Sequence, residues 1–323
     1  MRAVEAERAG GADVLKLIET PAPEPGAGEI RIRVEAAGLN FIDVYQRTGL
    51  YPMTYPARLG REAAGLVDAV GEGVTRFRPG DRAGFVGGGT GGYAEQAVIA
   101  ADRAVRLPPA ISAELAAAAM LKGMTADMLL RRVFHVKQGH TILVHAAAGG
   151  VGSILCQWGA ALGARVIGCV GSEAKAELAR QQGCAEVLIY DRDDLAARVR
   201  ELTGGQGVPV VYDSVGKDTF DASLASLARR GTMVTFGNAS GPVPAVEPLR
   251  LSRGGSLFLT RPTLYDYIDT VEALDESAQA VFDILATGTV KVDIGARFAL
   301  DQVREAHEAL ESRRTTGSTV ILP

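Results

Sequence analysis

The chain has 323 residues, a length that favours about two domains. Hydrophobic residues make up 47% and charged residues 22%, and no segment approaches the roughly 20 uncharged apolar residues of a membrane span, which excludes a membrane protein. The 34 basic and 38 acidic residues give a net charge of −4 without a basic block, so nucleic acid is not expected as a main partner.

The first residues and the cysteines predict a cellular location. The segment Met1–Glu5 opens the chain without an apolar signal region, so the expected location is the cytoplasm. Cys156, Cys169 and Cys184 fall in apolar or helical sequence and lack the spacing of a C-x-x-C motif. We therefore predict reduced thiols within the core.

The first third of the chain has the pattern of an antiparallel β domain. Apolar and charged residues alternate from Ile30 to Glu35, which is typical of a strand with one solvated face. Turn signals follow at Gly71–Gly73, Pro79–Asp81 and Gly87–Gly92. Short strands between close turns predict a barrel or sandwich that extends to about residue 120.

The most specific segment follows, where an apolar run, Thr141–Val144, leads into a glycine-rich turn, Ala146–Gly152, which opens a helix. Glycines let the backbone approach a pyrophosphate, whose charge is met by the N–H groups at the helix start. The pattern therefore predicts a dinucleotide site. Since Ala147 occupies the position of the first glycine in the G-x-G-x-x-G fingerprint, a tight helix–sheet crossing without a ligand is the alternative.

Strands and helices alternate through this part of the chain, which predicts a parallel, doubly wound sheet. The strand candidates are Ile142–His145, Arg165–Val170, Glu186–Tyr190, Val208–Tyr212, Thr232–Phe236 and Ser256–Leu259. A helix around Asp275–Leu285 and a last strand, Ser318–Leu322, return to the first domain. The sheet is then inserted into the first domain, and the predicted divisions are 1–121, 122–262 and 263–323.

A series of different short motifs is spread along nearly the whole chain. These motifs are Ala37–Asp43, Gly49–Pro52, Gly60–Gly65, Val70–Val74, Pro79–Arg82, Ala146–Gly152 with Gln157, Val211–Gly216 and Phe236–Asn238. In this order they resemble the zinc-independent quinone oxidoreductase, or ζ-crystallin-like, branch of the medium-chain dehydrogenase/reductase superfamily. The resemblance implies an α/β fold: a doubly wound parallel (Rossmann) sheet, residues 122–262, inserted into a mainly antiparallel β, GroES-like domain.

Two substitutions separate this chain from the zinc enzymes of that superfamily. Those enzymes bind catalytic zinc through a cysteine where this chain has Asn40 and through a histidine where it has Arg61. Neither side chain replaces a thiolate or an imidazole, so we predict no metal. Without a Lewis acid the acceptor should be intrinsically electrophilic, a quinone or an α,β-unsaturated carbonyl. The predicted reaction is direct hydride transfer from a nicotinamide cofactor, without metal or flavin.

The resemblance also implies which residues act at the reaction centre. Asn40 and Tyr45 would hold the nicotinamide ribose, Tyr51 would line the acceptor side and donate to the developing oxyanion, and Thr125 would touch the carboxamide. Each has a structural alternative. Asn40 followed by Asp43 is typical of a helix cap, Tyr51 could serve packing alone, and Thr125 could be a helix-start threonine.

The end of the second strand of the doubly wound sheet predicts the choice of nucleotide. Dehydrogenases specific for NAD carry a carboxylate there, on the ribose 2′-hydroxyl. After Arg165–Val170 this chain has Gly171 and Ser172, and Lys175 lies one turn into the next helix. We therefore predict NADPH, although Glu173 lies beside the proposed phosphate site. A lysine that is merely solvated is the alternative.

The resemblance assigns further contacts with NADPH. Tyr190 and Arg313 would contact the additional phosphate, and Ser214 would meet the nicotinamide end. The predicted cofactor contacts are Ala148, Gly149, Gly150, Val151, Gly152, Gly171, Ser172, Lys175, Tyr190, Ser214, Phe236, Gly237, Asn238 and Arg313.

Three further predictions concern pairing and substrate range. Arg61 and Glu62 are expected to form a buried pair, and Asp127 is expected at a pocket mouth, where it would disfavour anionic acceptors. Gly254–Thr260 is predicted to be an edge strand through which two subunits pair. Two other functions stay open: an NADPH-dependent enone or alkenal double-bond reductase, and a non-catalytic NADPH-binding protein of crystallin-like or RNA-binding type.

Overall fold

The computed structural model describes residues 1–87, 91–312 and 315–323. Part of the predicted turn Gly87–Gly92 and the predicted phosphate contact Arg313 therefore lie outside the described residues. The chain divides into two compact units. The first comprises Met1–Met124, Ile268–Thr287 and Val292–Pro323, and the second comprises Thr125–Tyr267 and Gly288–Lys291.

Strands predominate before residue 113, and strands and helices alternate in the second unit. The strands are β1 (Arg2–Ala6), β2 (Leu15–Glu19), β3 (Glu29–Leu39), β4 (Ala57–Arg58), β5 (Glu62–Val70), β6 (Arg82–Val86), β7 (Gln96–Ala100), β8 (Ala104–Arg106), β9 (Thr141–Val144), β10 (Arg165–Val170), β11 (Cys184–Ile189), β12 (Val208–Asp213), β13 (Leu227–Thr235), β14 (Phe258–Thr260), β15 (Ile294–Ala299) and β16 (Ser318–Leu322). The α-helices are α1 (Phe41–Arg47), α2 (Ala113–Asp127), α3 (Gly150–Ala161), α4 (Glu173–Gln181), α5 (Leu195–Leu202), α6 (Phe220–Ser226), α7 (Pro248–Arg253), α8 (Val271–Ala286) and α9 (Val303–Glu311).

The first unit is built on a mainly antiparallel sheet in the order β15-β16-β3-β5-β6-β8, with β7 also paired to β3. Only β15 and β16 run parallel among these described strands. The alternation read from the sequence holds on β3, where Ile30, Ile32 and Val34 are buried in the core and Arg33 and Glu35 are exposed. A smaller sheet has the order β2-β1-β4.

The second unit contains a parallel sheet in the order β11-β10-β9-β12-β13-β14. The chain enters at β9, winds outward through β10 and β11, and then crosses back to β12, β13 and β14. This reversal makes β9 and its neighbours the topological switch point, where a doubly wound sheet binds ligands at the carboxyl ends of its strands. The predicted fold class, a doubly wound sheet inserted into a mainly antiparallel domain, is confirmed.

Predicted and observed elements agree most closely where the sequence pattern is strongest. The strands predicted at Arg165–Val170 and Ser318–Leu322 have those bounds in the structure. The helix predicted around Asp275–Leu285 lies within α8, where the Thr270 hydroxyl caps the helix start by accepting from the Ala273 N–H at 3.1 Å. Across the described residues, no helix is both long enough and apolar enough to cross a membrane.

Candidate active site

The glycine-rich turn joins β9 to α3 and is shaped by close backbone contacts. Gly149 is the N-cap of α3, and its N–H donates to the Ala146 carbonyl oxygen at 2.8 Å. A Cβ on Gly152 would lie 2.1 Å from that same oxygen, so only glycine lets the helix approach this closely. Ala147, at the position of the first fingerprint glycine, is buried, and its N–H donates to Cys169 at 3.0 Å. The departure from the fingerprint therefore leaves the turn intact.

Five predicted contacts form one continuous run at the start of α3. They are Ala148, Gly149, Gly150, Val151 and Gly152. The N–H groups in the first turn of a helix have no partner within the helix, and the positive end of the helix dipole adds to their field. Because α3 is 12 residues long and follows the central strand of the sheet, its start fits an anionic diphosphate.

The carboxyl end of β10 lacks an adjacent carboxylate. A Cβ on Gly171 would meet nothing within 4 Å, and Ser172 caps α4 by accepting from the Lys175 N–H at 3.4 Å. The next acidic residue along the chain, Glu173, lies in exposed ion pairs with Arg192 at 3.0 Å and Arg180 at 3.5 Å. These cations reduce the negative charge that Glu173 would place beside a bound phosphate.

The carboxyl ends of β12 and β13 approach each other closely. The Phe236 N–H donates to the Asp213 carbonyl oxygen at 2.8 Å, and a Cβ on Gly237 would lie 2.3 Å from the Ser214 carbonyl oxygen. Arg261 fixes this edge by donating from Nη1 to the Gly237 carbonyl oxygen at 3.1 Å. The predicted contacts at this edge are Ser214, Phe236, Gly237 and Asn238.

Tyr190 directly follows β11 and lies beneath the glycine-rich turn. Its hydroxyl oxygen accepts from the Ala146 N–H at 2.8 Å and lies 3.2 Å from His145 Nδ1. The two rings stack with centroids 5.8 Å apart and planes 2° apart. The hydroxyl of this predicted phosphate contact is therefore engaged within the second unit.

In the first unit, Asn40 is the N-cap of α1, but its amide does not cap the helix. The Asp43 carboxylate accepts from the Asn40 N–H at 2.9 Å, which is the acidic half of a capping box. The Asn40 amide instead donates from Nδ2 to Glu62 Oε2 at 2.9 Å and to the Gly38 carbonyl oxygen at 3.3 Å. Capping therefore accounts for the position of Asn40 and not for its side chain.

Glu62 lies at the centre of a buried charged cluster. One carboxylate oxygen accepts from the Leu121 N–H at 2.7 Å, and the other lies 3.8 Å from Lys122 Nζ. Burial raises the pKa of Glu62 and lowers the pKa of Lys122, while their mutual attraction opposes both shifts. The predicted pair of Arg61 with Glu62 is wrong. The backbone N–H of Arg61 donates to the Asp43 carboxylate at 3.1 Å, and the cation paired with Glu62 is Lys122.

Asp43 is a second buried carboxylate in this cluster. Burial raises its pKa from 3.8 to about 6, although hydrogen bonds from Asn40, Tyr93 and Arg61 favour the ionised form. The Tyr93 hydroxyl donates to Asp43 at 2.9 Å. The surroundings of Asn40 are therefore rich in charge and closed to solvent.

Tyr45 on α1 and Tyr51, which follows that helix, form an aromatic pair. Their ring centroids lie 5.3 Å apart with planes at 63°, an edge-to-face arrangement. The Tyr51 N–H donates to the Tyr45 carbonyl oxygen at 2.9 Å. The two tyrosines therefore pack against each other, and this packing is compatible with either role predicted for Tyr51.

Two expectations around the end of α2 are wrong. Thr125 is not a helix-start threonine, because it lies near the end of α2, whose bounds are Ala113–Asp127. Asp127 does not carry an open acidic charge, since it is fully buried and pairs with Arg131 at 2.8 Å and Arg132 at 3.1 Å. A π-helical segment, Met128–Val133, follows. Such segments are frequent at functional sites.

Two family models match this chain. "Zinc-binding dehydrogenase" matches residues 150–277, and "Alcohol dehydrogenase GroES-like domain" matches residues 26–109. A quinone oxidoreductase of Pseudomonas aeruginosa is 51% identical over 315 residues, covering 97% of each chain. The chain belongs to the quinone oxidoreductase branch of the medium-chain dehydrogenase/reductase superfamily.

Two other similar proteins in the branch differ in their named substrates. A structure of Escherichia coli quinone oxidoreductase complexed with NADPH superposes with a TM-score of 0.98 at 46% identity, covering 100% of each chain. A 2-haloacrylate reductase of a Burkholderia species is 41% identical, covering 97% of this chain and 96% of its own. Proteins similar to this chain along its full length are therefore named for two kinds of substrate, a quinone and a conjugated alkene.

The description of the family model that matches residues 150–277 mentions zinc, whereas Asn40 and Arg61 replace the cysteine and histidine ligands expected from the superfamily. Within the ranges that the structure describes, no group of three or more His, Cys, Asp or Glu residues could hold a metal ion. An amide and a guanidinium do not supply the soft donors that zinc prefers. The metal-free site remains a prediction.

Sequence reasoning missed two polar residues beneath the predicted contacts. Lys122 lies 3.8 Å from Glu62, to which the Asn40 amide donates, and the Ser223 hydroxyl oxygen lies 2.9 Å from His145 Nε2. Lys122 had a usable signal, because it is a single charge in the apolar segment of α2. Ser223 had none, since an isolated serine on a short helix is ordinary.

Proposed function

We propose that this chain is an NADPH-dependent quinone oxidoreductase that transfers hydride directly to a quinone without metal or flavin. The observation that carries the proposal is the combination of the glycine-rich turn at the start of α3 with a β10 end that has no adjacent carboxylate. The relatives named as quinone oxidoreductases, and the NADPH complex of one of them, support the same function.

The residues of the second unit bind and orient the nucleotide in this proposal. The backbone N–H groups of Ala148, Gly150, Val151 and Gly152 hold the diphosphate, and Lys175 with Ser172 supports the additional phosphate. Gly171 leaves room for the adenosine ribose, because a Cβ there would meet nothing within 4 Å. Arg313 would add a second cation. When bound, NADPH supplies the hydride, so the chain itself needs no redox group.

The residues of the first unit orient the reacting end. Both amide hydrogens of Asn40 are used, toward Glu62 and Gly38, so Asn40 offers its carbonyl oxygen as an acceptor for a ribose hydroxyl. Tyr45 supports the same ribose by packing. Tyr51 lines the acceptor side and donates a hydrogen bond to the developing oxyanion. One neutral donor is enough there, because the negative charge of the phenolate formed from a quinone is delocalised. From the second unit, Thr125 contacts the carboxamide.

The chain is further proposed to form a homodimer through the edge strand β14. This strand pairs with β13 in the sheet, and its Phe258 is 61% exposed, an unusual position for a large apolar side chain. Phe258→Glu should dissociate the dimer. Sedimentation at micromolar concentration tests this, and a monomeric wild-type protein would contradict it.

A cytoplasmic location and a small-molecule partner complete the proposal. Cys156, Cys169 and Cys184 are buried as free thiols, which agrees with a reducing compartment. The acidic charge balance does not favour nucleic acid as a partner.

The proposal is tested by an acceptor panel. Purified protein is mixed with NADPH or NADH and with 9,10-phenanthrenequinone, 1,4-benzoquinone or an enone, and nucleotide oxidation is followed after subtraction of the protein-free rate. We expect sustained turnover that is fastest with NADPH and a quinone. Tight NADPH binding with no turnover on any acceptor would favour the non-catalytic binding role.

A second candidate is an NADPH-dependent reductase of conjugated double bonds, either enones or alkenals. The similar 2-haloacrylate reductase favours it, because its named substrate carries a conjugated alkene. The same panel separates the two, since a kcat/KM that is higher for enones than for quinones would support the second candidate.

A further inference from the structure

A buried carboxylate lies beneath the glycine-rich turn and acts only as an acceptor. Asp213 Oδ1 accepts from the N–H groups of Val215 at 2.8 Å and Gly216 at 3.0 Å. The Thr219 hydroxyl lies 2.7 Å from Oδ2, and the Ser223 hydroxyl lies 2.8 Å from the same oxygen. Donors therefore face both oxygens of this carboxylate. The Ser223 hydrogen therefore points toward Asp213.

The direction of each remaining hydrogen bond follows from that first one. Since Ser223 has a single hydroxyl hydrogen, its oxygen accepts from His145 Nε2 across 2.9 Å. His145 thus carries its proton on Nε2, and Nδ1 is an acceptor. The Tyr190 hydroxyl, 3.2 Å from Nδ1, donates to it in preference to the Cys169 carbonyl oxygen at 3.4 Å. Burial lowers the pKa of His145, which agrees with a neutral ring.

The chain of hydrogen bonds ends on the backbone of the turn. The Tyr190 oxygen accepts from the Ala146 N–H at 2.8 Å. Ala146 has a φ of 50°, a left-handed conformation that is unfavourable for a residue with a Cβ. Its carbonyl oxygen is the atom that accepts from Gly149 and that lies against Gly152. The conformation of Ala146 therefore sets the start of α3.

We propose that Asp213, Ser223 and His145 are positioning residues which, through Tyr190, hold the glycine-rich turn in its diphosphate-binding conformation. We name this chain of hydrogen bonds the His145 relay: Asp213, Ser223, His145, Tyr190 and Ala146. The Tyr190 hydroxyl then serves the turn, and its contact with the nucleotide is made by the ring rather than through a hydroxyl bond to the additional phosphate. This inference rests on the proposed binding of NADPH at the turn.

The two possible roles of Tyr190 predict different nucleotide selectivity. The diphosphate is common to NADPH and NADH, whereas the additional phosphate belongs to NADPH alone. If the relay positions the turn, Tyr190→Phe and Ser223→Ala each raise the Kd of both nucleotides by the same factor, about two- to tenfold. A hydroxyl ligand of the additional phosphate would make Tyr190→Phe weaken NADPH only and leave Ser223→Ala without effect.

The measurement is a fluorescence titration of the full chain with NADPH and with NADH. Two matched controls remove buried hydroxyls outside the relay. Tyr212→Phe removes a hydroxyl that donates to Leu129 at 3.1 Å, and Ser226→Ala removes one that donates to Ala222 at 2.7 Å on the same helix as Ser223. Both controls should bind the nucleotides as the wild type does.

Two further readouts do not depend on activity. In the double variant Tyr190→Phe, Ser223→Ala, the combined loss of affinity should be smaller than the product of the single losses, because both changes break one relay. Nitrogen NMR of the imidazole, assigned with His145→Gln, should show a neutral ring protonated on Nε2 throughout neutral pH.

Three results would overturn the inference: a loss confined to NADPH, relay variants that bind as tightly as their controls, or a proton on Nδ1. Each of these presupposes that the wild type binds NADPH. A wild-type protein that binds neither nucleotide would instead overturn the proposed function, so the two failures are distinguishable.

Discussion

The surroundings of Asn40 and those of the glycine-rich turn hold their polar groups in place by different electrostatic means. In the first unit, two carboxylates, Asp43 and Glu62, and the Lys122 ammonium are buried together. In the second unit, neutral groups connect the turn to a single carboxylate, Asp213, whose oxygens are satisfied by donors. The first arrangement depends on charge balance, and the second depends on the direction of hydroxyl hydrogens.

This difference predicts how each region responds to change. Buried charges are stable only with their partners, so the first unit should be sensitive to the loss of one charge and to pH. A neutral relay should withstand changes of pH and respond to the loss of a hydroxyl. The following variants test this contrast.

The largest effect is expected when the buried ion pair is broken. Lys122→Met leaves the Glu62 carboxylate without its cation, and we expect the free energy of unfolding to fall by about 3–5 kcal/mol. Unfolding followed by circular dichroism measures this, with Lys137→Met at an exposed position as the control. Adding Glu62→Gln removes both charges and should restore most of the stability. A Lys122→Met protein as stable as the wild type would contradict the charge-balance account.

A smaller loss is expected from a methyl group in the glycine-rich turn. Gly152→Ala places a Cβ 2.1 Å from a backbone oxygen, which should cost about 1–3 kcal/mol of stability and also weaken NADPH binding. Gly171→Ala is the companion variant, because its Cβ meets nothing within 4 Å. It should unfold at the wild-type temperature and lose affinity only for the nucleotide. Thermal unfolding with and without NADPH distinguishes these outcomes.

Replacing Lys175 tests the choice of nucleotide. Lys175→Ala should raise the KM for NADPH about tenfold and leave the KM for NADH unchanged, because a charged hydrogen bond to the additional phosphate is lost. Lys217→Ala, at an exposed position in the same unit, is the control. Steady-state kinetics with both nucleotides provide the measurement. An equal change for both would remove Lys175 as the phosphate contact.

A pH dependence in the first unit is expected from two buried groups whose contributions to stability change with pH in opposite directions. Burial and the neighbouring Arg47 lower the pKa of His307 from 6.5 to about 3. A lowered pKa gives stability that is complete above pH 6.5 and is lost as the pH falls toward 3, by about 1.4 kcal/mol per pH unit. His307→Gln should reduce this loss on acidification, whereas His135→Gln, at an exposed position, should not.

Between pH 3.8 and about 6, the contribution of Asp43 to stability changes in the opposite direction to that of His307. Its pKa is raised from 3.8 to about 6, so its contribution to stability is complete below pH 3.8 and is lost as the pH rises through about 6. The two contributions nearly cancel between these values. Asp43→Asn should therefore make the fall in stability on acidification steeper than in the wild type. Unfolding temperatures measured across this range test it, and parallel profiles would contradict it.

The fold was largely predictable because its strands have strong local patterns. Arg165–Val170 is a short apolar run between helical segments, and the register of β3 follows the alternation from Ile30 to Glu35. The start of β13 was not predictable, since Leu227–Gly231 contains two arginines and a positive φ at Arg230, which resembles a loop.

The candidate site was predictable in its backbone elements and less so in its polar partners. The glycine-rich turn could be recognised in the sequence, because the close approach of the backbone requires glycine at position 152. The contact of Glu62 with Lys122 spans 60 positions and depends on Gly38, where a Cβ would lie 2.3 Å from the Glu62 carboxylate. No local pattern encodes such a contact. The direction of the His145 relay likewise depends on donors that come from separate strands and a helix.

The proposed metal-free hydride transfer is tested by a time course of NADPH oxidation with 9,10-phenanthrenequinone, using protein treated with a metal chelator and free of flavin absorbance. We expect sustained turnover at the rate of the untreated protein, because the turn holds the nucleotide and no metal takes part. Absence of turnover, or turnover that is lost with the chelator and restored by zinc, would contradict it.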